Sequence, residues 1–417
     1  MNLEALIAQH QPGHSLSRDF YLDPGIWEAD VERVLSSKWH LVGHVAQLPE
    51  SGDYFLVEML DESIIVLRDS AGGIRALHNF CRHRGAQLCE ETSGNRRRFV
   101  CPYHGWTYGL DGKLLFAPLM DDDFDPAVHG LRCCQVRILE GVIFVNVGDK
   151  TPDFDELFAE YRPLLSFYGL ASAKIAVQRR YTIAANWKLV VENGLECYHC
   201  FGVHPVFAKA RSPAQTQLIG GSNETNPAEA KAIFAAEFSE WQRKLKQLPG
   251  HVGQLVDDDE HSDHLRQLFR TPLADGYLTE SVDGQPVAPL IGEFEEYDRG
   301  TTICLFNPWS WIFMSSDHAA TFRWTATGVD STEVEIIWLV NGEAREKLDY
   351  DADHLAGIQW VTAMEDKEIV ERVRRGIGSR CYRPGKLSKQ EASVDRFLRW
   401  YLSQLAVPAQ SSAADIV

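Results

Sequence analysis

Four side chains between residues 81 and 104 are spaced for metal chemistry. Cys81 and His83 form C-x-H, Cys101 and His104 form C-x-x-H, and 17 residues separate the pairs. A zinc finger usually places two cysteines in one loop and two histidines in the other. Here each loop offers one thiolate and one imidazole. Mixed pairs suit a [2Fe–2S] cluster with both thiolates on one iron and both imidazoles on the other. Such ligation raises the reduction potential above that of an all-cysteine cluster. Pro102, Tyr103, Gly105 and Trp106 would keep the second loop tight and shield the cluster from water. The chemistry implied is electron transfer.

A second constellation spans Asn186 to Pro205, NWKLVVENGLECYHCFGVHP. On a continuous helix Glu192, Glu196 and His199 fall at i, i+4 and i+7, on one face. His204 lies five residues past His199, so Gly202 and Pro205 predict a break or π-type turn that returns it to the same point. Two imidazoles and one carboxylate hold Fe(II) on three adjacent octahedral positions and leave others open for dioxygen. The carboxylate candidate is Asp366 in AMEDKEIVERVRRG, with Glu365 as its competitor. Cys197 and Cys200 make a C-x-x-C around His199; both thiols are expected to point away from the His199 face and to pack. A His-x4-His pair alone is usually structural. Its conjunction with a cluster segment, in a chain that continues to residue 417, points to an oxygen-activating iron.

These residues need elements to position them, and the pattern predicts an α+β chain in three parts. Residues 1–38 read as a helical segment packing on the catalytic domain. Residues 39–150 read as an all-β [2Fe–2S] domain, with strand-like runs at 39–47, 52–68, 74–79, 98–101, 106–108, 131–139 and 141–147. Residues 151–417 read as the catalytic domain, an antiparallel sheet covered by helices. There, helices are expected near 153–168, as a long run from Trp187, near 224–248 and, last, at 350–375. Strands are expected at 176–185, 301–307, 309–315, 319–327 and 332–341, the last two joined across Gly328–Ser331. Residues 249–264 suggest a surface excursion or lid, and the tail after Pro408 disorder.

The composition excludes several classes. A net charge of −18 argues against nucleic-acid binding. No apolar run approaches a membrane span, and Met1–Asp19 is unlike a signal peptide. Nine cysteines in 417 residues do not make a disulfide framework. Cys81 and Cys101 must be reduced to bind iron, which fits a cytoplasmic protein. With no G-x-G-x-x-G or P-loop, the chain shows no NADH or flavin site, so its electrons come from another protein.

Over nearly its whole length the chain resembles the α subunit of Rieske non-haem iron oxygenases. The matching motifs are C-x-H-x17-C-x-x-H, N-W-K-L…E-N…E-C-Y-H-x4-H-P and the late E-D. The resemblance implies a Rieske [2Fe–2S] cluster on Cys81, His83, Cys101 and His104, and a mononuclear Fe(II) on His199, His204 and Asp366. It makes Glu196 a bridge between His199 and His104 of the partner subunit, in a head-to-tail homotrimer. It also implies a separate NAD(P)H-dependent flavin/iron–sulfur reductase. Ring-hydroxylating members usually carry aspartate at the bridge. Glutamate in E-C-Y-H-C, and the run RVRRGIGSRCYRPGKLSKQEASVDRF, resemble the branch acting on choline, glycine betaine, carnitine and proline betaine. The reaction implied is O2-dependent hydroxylation of an N-methyl group by a monooxygenase, releasing formaldehyde and the demethylated amine. The alternatives are aromatic-ring hydroxylation, attack at another C–H, or a non-catalytic Rieske carrier.

A quaternary ammonium cannot donate hydrogen bonds, so aromatic faces must recognise it. Trp309, Trp311 and Phe313 alternate along one strand and so share a face. Tyr297 and Phe306 are further candidates, and sheet core is the alternative role for all five. Arg211, Arg299 and Arg323 are available for an anionic end, with none singled out.

Overall fold

A computed structural model describes residues 3–148, 151–212, 214–215, 227–245, 255–256 and 264–407. Most of the expected 249–264 excursion and the tail after Pro408 lie outside these residues. The chain forms two compact units, Ser36–Phe154 and a second made of Met1–Leu35 with Asp155–Val417.

The Ser36–Phe154 unit is all-β. Its strands are β1 (His40–His44), β2 (Asp53–Met59), β3 (Glu62–Arg68), β4 (Ile74–His78), β5 (Ser93–Asn95), β6 (Phe99–Val100), β7 (Thr107–Tyr108), β8 (Leu114–Phe116), β9 (Cys133–Leu139) and β10 (Val142–Asn146). One sheet runs β1-β10-β9-β4-β3-β2-β5, and a small one β6-β7-β8. The run expected at 52–68 is two strands, paired Met59 to Glu62 across Leu60 and Asp61, at φ 54° and 62°. That left-handed turn carries no glycine, so no breaker marked it. Leu77, Phe99, Trp106, Tyr108 and Leu131 form the core into which Cys81 and Cys101 are packed.

The other unit is built on a seven-stranded antiparallel sheet, β11 (Lys174–Ile183), β17 (Ser331–Val340), β16 (Ala319–Gly328), β15 (Ser310–Met314), β14 (Gly300–Asn307), β13 (Gln267–Pro272) and β12 (Leu255–Val256), in that order. The hairpin at Gly328–Ser331 falls where expected. The helix expected at 153–168 is two short ones, Phe154–Phe158 and Arg162–Phe167. The run from Trp187 is also short: α1 (Trp187–Gly194), capped by Asn186, then α2 (Cys200–Val203) and α3 (Pro205–Lys209). Helix α4 spans Pro227–Lys244. Helix α5 (Ala352–Ile377), capped by Asp351, packs against β11, α1 and α3. It is not the last. Helix α6 (Ala392–Ala406) buries Phe397, Trp400 and Tyr401. The N-terminal segment joins this unit through Asp30, whose buried carboxylate accepts from Trp187 Nε1, Lys188 Nζ and Tyr401 Oη.

Candidate active site

The two cluster loops are near-copies in backbone hydrogen bonding. Cys81 N donates to Ala86 O and Gly85 N to Cys81 O; Cys101 N donates to Trp106 O and Gly105 N to Cys101 O. Gly85 and Gly105 close the turns at φ 75° and 74°, a region that favours glycine. The thiols are free and buried, at 2% and 3% exposure. The imidazoles are further out, with His83 exposed and His104 half-buried. Their ring centroids are 4.7 Å apart, and His83 stacks on Trp106. Buried His104 Nδ1 has no hydrogen-bond partner among the described residues. Desolvation, His83 and Arg84 hold His104 below its ordinary pKa, which keeps the imidazole neutral as a metal ligand requires. The Tyr108 hydroxyl lies 3.2 Å from Cys81 Sγ and accepts from Arg82 N.

The second site is gathered from α1–α3 and α5. His199 Nε2 and His204 Nε2 are 3.1 Å apart. Asp366 Oδ1 is 2.9 Å from His204 Nε2 and 3.3 Å from His199 Nε2. Metal–donor bonds of about 2.1 Å at right angles place neighbouring donors about 3 Å apart, so the three atoms fit one face of an octahedron. The outer nitrogens also meet carboxylates: Glu196 Oε1 lies 2.6 Å from His199 Nδ1, and Glu365 Oε2 lies 2.8 Å from His204 Nδ1. The two late acids therefore divide, Asp366 facing the inner nitrogens and Glu365 the outer one. Burial lowers the pKa of His199, but Asp366 and Glu196 outweigh it and raise it to about 9. His204 is raised likewise, chiefly by Asp366, while burial is outweighed by both histidines in holding Asp366 below the usual carboxylate range.

Two expectations fail here. Glu192 does not share a face with His199: α1 ends at Gly194, and the half-buried Glu192 accepts instead from Tyr21 Oη at 2.9 Å. Cys197 and Cys200 do not point away from His199. They are joined as a disulfide, and Cys200 Sγ lies 4.0 Å from His199 Nε2. Both errors came from extending the helix; the non-helical turn at 195–199 rotates these side chains off the assumed faces. His204 does sit at a break, the junction of α2 and α3, with φ −117° and ψ 70°.

A cavity of about 360 Å³ opens onto His199, His204 and Asp366, in the range of small-molecule sites. Trp311, Phe313, Phe322 and Trp324 form its aromatic wall, with Phe269 and Tyr181 also lining it. Trp311 and Phe313 are stacked at 5.9 Å. Trp309 is not in the lining. It precedes β15 and packs edge-on against Trp187 at 5.6 Å. Phe306 packs on Phe158 and Tyr161 instead, and Tyr297 donates to Ala288 O.

Residues 38–135 match the Rieske [2Fe-2S] domain family, and residues 170–407 the ring hydroxylating alpha subunit (catalytic domain) family. The glycine betaine monooxygenase oxygenase subunit of Chromohalobacter salexigens is 35% identical over 97% of this chain and 90% of its own length. The chain belongs to the Rieske ring-hydroxylating α-subunit family. The glycine betaine monooxygenase oxygenase subunit of Pseudomonas aeruginosa is also 35% identical, over 94% of this chain and 89% of that one. A quaternary ammonium Rieske monooxygenase solved with L-carnitine shares the fold, with a TM-score of 0.66, 21% identity, and coverage of 97% and 98%.

This α subunit accordingly carries a Rieske [2Fe–2S] cluster and a mononuclear iron. The residues present fit both. Two buried thiols and an orphaned imidazole nitrogen converge at the loop tips, and three donors share one face at the second site. Sequence reasoning missed Glu365 as a partner of His204, and missed Phe269, Phe322, Trp324 and Phe207 in the cavity. Phe322 and Trp324 alternate along β16 like Trp311 and Phe313 along β15, a signal that was available. No helix among the described residues is long and apolar enough to cross a membrane.

Proposed function

We propose that this chain is the oxygenase component of a monooxygenase that hydroxylates an N-methyl group of a small quaternary ammonium compound of the betaine type. The hydroxylated carbon leaves as formaldehyde, and the demethylated amine remains. The observation that carries this reading is the aromatic cavity opening onto His199, His204 and Asp366. Aromatic faces attract a cation that can donate no hydrogen bond. Resemblance along nearly the whole chain to glycine betaine monooxygenase oxygenase subunits supports the same substrate class.

In this reading His199, His204 and Asp366 hold the iron, whose chemistry is the reductive activation of dioxygen. Glu196 and Glu365 accept the Nδ1 protons of His199 and His204, so that each Nε2 lone pair faces inward. The aromatic walls exclude water and hold the ammonium so that one methyl group faces the triad. Cys81, His83, Cys101 and His104 hold the cluster, and Glu196 is the bridge that also meets His104 of the partner subunit. That bridge requires a homotrimer. Electrons come from a separate NAD(P)H-dependent flavin/iron–sulfur reductase. A cluster on Cys81 and Cys101 needs both as reduced thiolates, and both are free while Cys197 and Cys200 are paired, so the cytoplasmic setting rests on the cluster ligands.

The test is formaldehyde release by iron-replete protein with a surrogate reductase, NADH and oxygen. Glycine betaine, choline, carnitine, γ-butyrobetaine and proline betaine are the substrates, with benzoate as aromatic control. Formaldehyde from one amine is expected. Hydroxylated benzoate with no formaldehyde would return the chain to ring hydroxylation. An iron content near two rather than three per chain would make it a carrier.

A further inference from the structure

The polar end of the cavity holds one guanidinium. Arg211 follows α3, is 5% exposed, and lines the cavity that also reaches His199, His204 and Asp366. Its Nη2 donates to Glu280 Oε1 at 2.9 Å, and the other oxygen of Glu280 accepts from Thr301 Oγ1. The carboxylate is thus satisfied, but the guanidinium is not. Arg211 Nη1 is buried with no hydrogen-bond partner among the described residues, and so is Gln215 Oε1 beside it in the lining. A buried donor left unpaired is costly, so such an atom calls for an acceptor. The other arginines do not compete. Arg323 and Arg270 also keep buried nitrogens without a partner among the described residues, but neither lines the cavity: Arg323 is held by Glu333 and Glu335, and Arg270 pairs with Asp298; Arg299 is exposed.

Phe207 links this end to the metal site. Its ring lies 6.4 Å from the His204 ring and 4.3 Å from Arg211 Cζ. One aromatic side chain therefore separates a metal-site imidazole from the guanidinium that carries the unpartnered Nη1, a spacing that a zwitterion of a few heavy atoms can span. We infer that Arg211 binds the carboxylate of the substrate through Nη1, while the aromatic wall holds the ammonium. This selects betaines over amino alcohols such as choline. The inference rests on the quaternary-ammonium reading above and adds to it the residue that sets the anionic end.

The test compares glycine betaine with betaine amide, its isostere in which an uncharged amide replaces the carboxylate, on the holoenzyme, by formaldehyde release. Wild type should favour glycine betaine in kcat/KM by about ten- to hundredfold, the worth of a charge-assisted hydrogen bond in a buried site. Arg211→Gln should abolish that preference, mainly through a higher KM for glycine betaine. Glu280→Gln retains Arg211 and removes its counter-charge, so it should lower KM for glycine betaine alone; it decides the matter should Arg211→Gln not fold. An unchanged preference in either soluble variant, or a wild type that favours the amide, overturns the inference. A wild type that releases formaldehyde from neither compound and from no other amine of the panel instead fails the quaternary-ammonium reading, and the role of Arg211 falls with it.

Discussion

His199 and His204 can both turn Nε2 inward because each has a carboxylate on Nδ1. An imidazole with one nitrogen occupied by an acceptor has its tautomer set. Asp366→Ala should therefore lose the mononuclear iron while keeping the cluster. Glu365→Gln should keep the iron but weaken its binding by about 10–100-fold, the usual effect of losing an outer partner. Iron analysis with EPR of the reduced cluster separates the two. Glu196→Ala should leave both metal centres largely loaded and cut turnover steeply, and full activity in that variant would remove its bridging role. Tyr108 offers a different readout. Its hydroxyl already accepts from Arg82 N, so its own proton is free for Cys81 Sγ. Hydrogen bonds to cluster sulfur raise the potential. Tyr108→Phe should lower the midpoint in an EPR-monitored redox titration by on the order of 50 mV.

Helix α1 does two jobs at the scale of an element. Its cavity side ends at Gly194, where any Cβ would collide with the indole of Trp324. Gly194→Ala should push that ring into the cavity and raise KM before it costs folding. Its other side carries Glu192, whose carboxyl burial pushes up to about 8 despite hydrogen bonding from Tyr21. A folded pKa above the ordinary 4.5 gives stability that is fully present below about 4.5 and is lost as pH rises through about 8. Denaturant titrations from pH 5 to 8 should show wild type losing up to about 1.4 kcal/mol per pH unit relative to Glu192→Gln, the slope of one proton. An identical pH dependence in the two proteins would mean that Glu192 titrates normally.

For the whole molecule, the tie between the N-terminal segment and the catalytic unit is a buried ion pair. Asp30 and Lys188 are both fully buried, and Trp187 and Tyr401 complete the network. Asp30→Ala would leave an uncompensated ammonium in the interior and should cost about 3–5 kcal/mol in equilibrium unfolding. The proposed bridge from Glu196 to the partner subunit's cluster makes a further demand at this scale. Light scattering should return three times the 47.1 kDa chain mass; a monomer with full activity would dismiss the trimer.

Spacing determined the cluster chemistry: ligands within a few residues of each other, in loops closed by Gly85 and Gly105, carry their geometry in the local chain. Alternation made the strands legible for the same reason, since a period of two is a property of the backbone. What required tertiary structure was every choice between distant equivalents. Asp366 and Glu365 are adjacent on α5, and only the packing of that helix on α1 and α3 decides which one faces the inner nitrogens. Trp309 shares the alternation of Trp311 and Phe313 but precedes the strand, so it packs on Trp187 instead. Arg211, Arg299 and Arg323 are equivalent as letters. A place in the lining of a cavity assembled from β11, β13–β16 and helices α1–α3, α5 and α6, together with a buried Nη1 that has no partner among the described residues, is what sets Arg211 apart.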